Sequence, residues 1–385
     1  MPSLVKGGAR VAFGMLVAAC AAAAGPGAAA EKAGALPAWL QEVTLDGFLA
    51  TSYSHNFNRP ASLTNQFRVF DFDDATFKLD ELELVAQKAV IKPRDAGFRT
   101  DLTFGSSVPR VTASAGLFRD AAGVGQDLDL HQAFATYIAP VGSGLRLDAG
   151  KFITSHGYEV IDGYDGWNDN ATRSLLFGYA IPFTHVGVRA TYVATPRVTG
   201  VLMLVNGWDV ARDNNRGKSL GAQVALAPLA PLTVIVSGMT GAERTGSPDR
   251  RNLLDLVAIF KANSRLTLGA NADWGTERNA VPGSFGAYPP RDASWRGVAG
   301  YLRCGLTESF AIAVRAERFD DMDGVRTGVT QKLSEWTVTP ELRLTPHILL
   351  RGDVRVDRSD QPVFEKPTGP VKTQPTAMVE ALYSF

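Results

Sequence analysis

The sequence lacks most of what would hold a small soluble domain together, and most of what would recognise a charged partner. Cysteine is nearly absent: Cys20 and Cys304 are the only two in 385 residues. A lone pair so far apart neither staples a small domain nor makes a zinc site. Charge of one sign is missing too, because 39 basic and 39 acidic side chains cancel. Nucleic acid would call for a basic surplus on one face, so it is not an expected partner. Past residue 30 no segment reaches the ~18 uninterrupted apolar residues of a transmembrane helix; the best run, Val198–Val205, is far shorter. The five histidines (His55, His131, His156, His185, His347) show neither HxxxH nor HExxH spacing, which argues against zinc. Asp320-Asp321-Met322-Asp323-Gly324 lacks the downstream Glu of a calcium loop. Gly123-Val124-Gly125 lacks the third glycine of a nucleotide site. No catalytic residue, metal or cofactor is expected. Disorder is excluded as well, since 45% of the chain is hydrophobic, the globular average.

What is present begins with an address. Lys6 and Arg10 precede an unbroken small-apolar run from Val11 to Ala24, and Ala28-Ala29-Ala30 offers a cleavage site. Residues 1–30 read as a secretory signal peptide, leaving 31–385 as the mature domain. Val17-Ala18-Ala19-Cys20 loosely resembles a lipobox, so lipidation at Cys20 is the alternative. Under either reading the chain leaves the cytoplasm.

The rest is written in period two. In Phe98-Arg99-Thr100-Asp101-Leu102-Thr103-Phe104 the apolar residues share one face and Arg99, Asp101 and Thr103 the other. From Ile348 to Asp357, Leu350, Gly352, Val354 and Val356 alternate with Arg351, Asp353, Arg355 and Asp357. A strand between lipid and a polar lumen reads this way. About sixteen such segments follow one another. They begin near Thr44, Asp73, Gly97, Asp127, Leu145, Thr184, Arg197, Lys218, Leu232, Asn252, Arg265, Ser294, Ser309, Ser334, Ile348 and Gln374. Their connections alternate between short turns and long loops. That layout predicts an all-β, transmembrane, up-and-down antiparallel β-barrel with both ends of the chain at the periplasmic rim; a Greek-key sandwich has no reason for it. The final segment closes on Tyr383 and Phe385, resembling the last strand of outer-membrane proteins, where a terminal aromatic serves as an assembly signal.

Between Asn56 and Asn215 the resemblance becomes specific. It rests on Asn56-Phe57-Asn58, Arg68-Val69-Phe70-Asp71, Gly97-Phe98-Arg99-Thr100-Asp101, Gly150-Lys151-Phe152 and Gly157-Tyr158-Glu159-Val160-Ile161. Above all it rests on Arg173-Ser174-Leu175-Leu176-Phe177-Gly178-Tyr179-Ala180-Ile181-Pro182-Phe183-Thr184-His185, and Asn206-Gly207-Trp208-Asp209 closes it. These motifs resemble the OmpL-like family of β-barrel porins. The resemblance implies a Gram-negative outer-membrane channel for small solutes or ions. The second half carries no matching motif.

The longest loop, His156 to Phe183, falls between the fifth and sixth predicted strands, where the loop of general porins folds into the lumen. It carries Glu159, Asp162, Asp165 and Asp169, the candidate pore constriction. Lumen-side positions offer Arg99, Arg146, Arg189, Arg315, Arg351 and Arg355 as the facing wall. Clusters of opposite charge in a pore select ions and orient dipolar solutes. The reading from a different class is a barrel hydrolase, for which Ser174 and His185 are the nearest pair in sequence; a loop-mediated adhesin or receptor is a third. Expected partners are outer-membrane lipid and lipopolysaccharide, the barrel-assembly machinery through the C-terminal strand, small solutes, and a homotrimer of the kind common among sixteen-stranded porins.

Overall fold

The alternating segments form sixteen strands in a computed structural model, which describes residues 38–109, 111, 117–118, 124–283 and 289–385. The expected signal peptide lies outside the described residues. The first eight strands are β1 (Thr44–Asn56), β2 (Thr76–Lys88), β3 (Ala96–Phe104), β4 (Leu128–Ala139), β5 (Leu145–Ile153), β6 (Thr184–Thr195), β7 (Val198–Val205) and β8 (Ser219–Leu229). The second eight are β9 (Leu232–Ala242), β10 (Arg250–Lys261), β11 (Leu266–Val281), β12 (Arg291–Gly305), β13 (Phe310–Asp321), β14 (Gln331–Arg343), β15 (Ile348–Ser359) and β16 (Thr373–Ser384). Each pairs antiparallel with its neighbours in chain order, and β1 pairs with β16 from Phe48 opposite Ser384 to Asn56 opposite Thr376. The sheet is a closed barrel, as the sequence predicts. No helix among the described residues is long and apolar enough to cross a membrane.

The polarity is inside out. On β15, Leu350, Val354 and Val356 face outward and exposed, while Arg351, Asp353, Arg355 and Asp357 face inward and are buried. Outward Phe77 is 82% exposed and Trp336 66%. In water that arrangement would forfeit hydrophobic burial, whereas lipid supplies it.

Strand starts at Thr44, Leu145, Thr184, Leu232 and Ile348 coincide with those read from the sequence. β12 and β14 instead begin three residues early, at Arg291 and Gln331. Their ladders continue past the apolar band, where Asp292 and Lys332 take outward positions and the alternation no longer shows. β2 starts later than expected because Asp73 pairs instead with Thr64 in the preceding loop.

Gly150 illustrates a local constraint. Its φ is +142°, and a Cβ there would stand 2.1 Å from the Ala133 carbonyl oxygen and 2.7 Å from the Phe134 Cα. Both obstacles are backbone, so the neighbour cannot swing away. Gly150→Ala is expected to destabilise the barrel by about 1–3 kcal/mol. Gly200→Ala, where a Cβ would meet nothing within 4 Å, should leave it unchanged. The thermal midpoint of heat-modifiable gel migration after detergent refolding checks both, and equal midpoints would refute the argument.

Candidate functional site

The chain between β5 and β6 has no period to make it a strand, so its backbone groups need partners from elsewhere. It finds them on the inner wall. Gly157 N–H donates to Asp255 on β10 (2.9 Å) and Tyr158 N–H to Asn271 on β11 (3.3 Å). The Tyr158 ring stacks on Tyr301 of β12 at 3.9 Å between centroids. Glu159 reaches Arg315 on β13 (2.7 Å), and Asp162 reaches Arg351 on β15 (2.6 Å). Tyr164 N–H then donates to Glu83 on β2 (2.6 Å), and Asp165 pairs with Arg99 on β3. On the way back Asp169 pairs with Arg303 of β12 (3.2 Å), and Thr172 N–H donates to Asp353 of β15 (2.7 Å). Leu175 N–H donates to Glu317 of β13 (2.6 Å). The segment crosses the barrel interior and touches its wall from β10 round to β3.

An apolar knot fixes the return. A single π-helical turn, Leu176–Ala180, buries Leu176, Phe177 and Ala180 against Phe70, Trp208, Trp295 and Phe319. Trp295 Nε1–H donates to the Ala180 carbonyl at 3.2 Å. The specific run of residues from Arg173 to His185 is therefore the segment that returns the loop to the wall.

All six expected wall arginines point inward, but they divide into two sets. Arg315, Arg351 and Arg355 are sealed beneath the loop, with side chains at most 1% exposed. Arg315 lies between Glu159 and Glu335 (3.1 Å), and Arg355 pairs with Asp357 (2.8 Å). Arg99, Arg146 and Arg189 stand on β3, β5 and β6 with side chains 14%, 40% and 18% exposed. Beneath them Asp101 and Asp148 are buried, the latter 2.9 Å from both Arg146 and Arg189.

The four loop acids divide in the same way. Glu159 and Asp162 are buried, whereas the Asp165 and Asp169 side chains are 56% and 33% exposed. Burial pushes the Asp169 carboxyl up to about 6, with Arg303 pulling the other way. Burial also drops the His156 imidazole to about 3, so it enters the loop neutral and holds the Thr154 hydroxyl at 3.1 Å. The nearest hydrolase pair is not assembled. Ser174 Oγ accepts the Phe177 N–H, while the His185 ring bonds Thr154 Oγ1 and the Gly207 carbonyl.

Sequence reasoning missed Arg303 and Arg173, and it left Glu317 and Asp353 as neighbours of the wall arginines without assigning them to the loop. Arg303 lies on an inward face of β12 whose buried residues are Ala293, Trp295, Ala299 and Tyr301, which hides it. Glu317 and Asp353 share an inward face with Arg315, Arg351 and Arg355, which alternation reveals. Arg173, which pairs with Asp162 at 3.0 Å, had no such signal.

A closed sixteen-stranded antiparallel barrel with an apolar outside, a charged inside and an inserted fifth loop defines a porin. The profile described as "Putative beta-barrel porin-2, OmpL-like" matches residues 42–385, and the chain belongs to that family of outer-membrane porins. The match extends the resemblance through the second half, where no motif was legible. Among solved structures, the barrel is similar to an anion-selective porin from Comamonas acidovorans (TM-score 0.57, 11% identity, covering 89% of this chain and 99% of that one). It is also similar to the outer membrane channel DcaP of Acinetobacter baumannii (TM-score 0.58, 11% identity, 89% and 97%). A third is OmpT of Vibrio cholerae in its trimer form (TM-score 0.55, 11% identity, 89% and 99%). At such identities the likeness is one of fold. No curated protein matches the chain in sequence.

Removing a buried partner tests the loop's anchorage. Arg315→Met leaves Glu159 buried without this cation and Glu335 with Arg355 alone, at 3.6 Å, a loss of about 3–5 kcal/mol. The loop is expected to unseat and the single-channel conductance in a planar bilayer to rise. Wild-type conductance with wild-type stability would show that Arg315 does not hold the loop.

Proposed function

We propose that residues 154–183 narrow a passive diffusion path for small solutes or ions. In this reading Glu159, Asp162, Asp165 and Asp169 lie on the loop side of the constriction. Arg99, Arg146, Arg189, Arg315, Arg351 and Arg355 lie on the wall side. The observation that carries it is the loop's course across the interior, in contact with both arcs of the wall. Catalysis has no part in the reading.

Exposure decides which charges a permeating ion would meet. Glu159 and Asp162 are sealed against arginines and act as anchors. Asp165 and Asp169 reach water, as does Arg146, and water screens each charge within roughly 8–10 Å. The selectivity is therefore weak and set by the balance of these exposed groups. Asp165→Asn with Asp169→Asn is expected to move the reversal potential in a salt gradient toward anions. Acidification should do part of the same. Asp169 has a raised folded-state value, so it is charged above pH about 6 and takes up a proton below it. Its burial is thus unfavourable above that pH and relieved as pH falls through it. A reversal potential unmoved both by the double substitution and by a step from pH 7 to pH 5 would place these acids off the path.

The chain reaches its site, in the same reading, through a signal peptide at residues 1–30 and the outer membrane of a Gram-negative cell, amid lipid and lipopolysaccharide. Tyr383 and Phe385 form the assembly signal for the barrel-assembly machinery. Their rings stack at 5.7 Å and remain 41% and 49% exposed at the β1–β16 seam, open to a partner. A homotrimer fits the trimeric form of the OmpT neighbour. Phe385→Ala gives up only part of one ring's burial, at most about 1–3 kcal/mol. It should therefore lower outer-membrane insertion in cells while the detergent-refolded barrel stays folded. Normal cellular levels of the variant would remove the assembly role.

A further inference from the structure

The outer wall is not the same all the way round. At the extracellular ends of β2, β7 and β8 the outward residues are apolar and exposed: Phe77, Leu204 and Leu220. On β13 and β15 the outward row at that rim carries arginine instead. Arg318 on β13 and Arg358 on β15 are exposed and point away from the lumen, between inward neighbours that are buried. Both stand in register with Ser334 of β14, directly opposite it from either side. Two strand spacings separate the two backbones by about 10 Å, a span that two guanidinium arms can close on one ligand.

Among the described residues neither arginine has a protein acid as partner, and the Ser334 hydroxyl has no protein hydrogen bond. The acids of the rim are engaged elsewhere. Asp320 faces Arg296 at 3.5 Å, and the Asp360 carboxylate accepts the Lys332 backbone N–H at 2.9 Å.

Depth identifies the level. Trp336, 66% exposed, is the next outward residue below Ser334 on β14, where an aromatic girdle marks the edge of the hydrocarbon. The arginine row lies two residues higher, about 5 Å along the normal for a strand tilted ~40°. Phosphate headgroups occupy that layer.

We infer that Arg318, Ser334 and Arg358 form a docking site for the phosphorylated headgroup of an outer-leaflet glycolipid. Arginine suits the task because its planar fork meets phosphate oxygens two at a time. The inference rests on the outer-membrane porin reading and adds to it a specific lipid-facing arc.

The test uses the refolded barrel in detergent, titrated with bisphosphorylated lipid A and followed by native mass spectrometry. Wild type should retain this lipid, and Arg318→Gln with Arg358→Gln should weaken it at least about tenfold. Lipid A stripped of its phosphates should bind wild type no better than the variant binds the intact lipid. Arg278→Gln, a rim arginine on β11 whose side chain is 72% exposed, should change nothing. Equal retention by wild type and the double variant would overturn the site, as would phosphatidylglycerol binding as tightly as lipid A. Heat-modifiable migration checks that the variants are folded. The same preparations are tested in a planar bilayer: absence of conductance would sink the channel reading, whereas conduction with unchanged lipid retention would sink the docking site alone.

Discussion

Every backbone N–H and C=O of a chain in lipid must find its partner within the chain, since an unpaired group there costs several kcal/mol. The pairing of β1 with β16 satisfies that constraint for the sheet as a whole. An open sheet would leave two edges unpaired. Closure fixes the side-chain pattern as well: with one face turned to hydrocarbon, polar and ionised groups can only go inward. The alternation on β15 of Val354 and Val356 with Arg355 and Asp357 follows from the strand's geometry and the solvent on each side.

The interior then has a second version of the same problem. A loop drawn inside without secondary structure brings its own N–H groups and carbonyls away from bulk water. The wall answers with carboxylates aimed at backbone donors: Glu83, Asp255, Glu317 and Asp353 each accept one or more N–H groups from residues 157–176. Arginines complement the loop's acids and its carbonyls, as Arg315 does toward Glu159 and the Thr172 carbonyl. Donors and acceptors thus match in both directions, which gives the loop one seating on the wall. Buried ions on this scale add little net stability over apolar packing, yet deleting one partner strands the other. The arrangement therefore specifies a position more than it strengthens the barrel.

This division explains what could be read from the amino acids. Strands were legible because period two is local, and the five strand starts that coincide lie where the alternation switches on sharply. It failed at Arg291 and Gln331, where the ladder outlasts the lipid and the outward residues turn polar. The loop acids and wall arginines were legible as residue types on the right faces. Their pairings were not, because Asp162 and Arg351 are joined only by the loop's path, and an aperiodic segment carries no signal of its path. The same holds for Arg173, which sits in a recognisable motif while its contact with Asp162 depends on the loop doubling back. In the second half the fold persists without the motifs because lipid-facing positions demand only apolarity, which many residues satisfy.

The burial of the ion pairs separates two roles that the bare list of charges runs together. A guanidinium held between Glu159 and Glu335 with no exposed surface presents almost no field to a passing ion, since its charge is matched at contact distance. A half-exposed one such as Arg146 is matched from beneath by Asp148 and still faces water. Seating and selectivity thus fall on different members of one charged set, sorted by depth under the loop. On the channel reading, sequence changes at Arg146 or Arg189, which pair with Asp148 on the wall, can retune which ions pass without unpinning the constriction. Those at Asp165, Asp169 or Arg99 do so at the cost of one water-exposed tether. Changes at Glu159, Asp162, Arg315 or Arg351 cannot touch selectivity without first moving the loop.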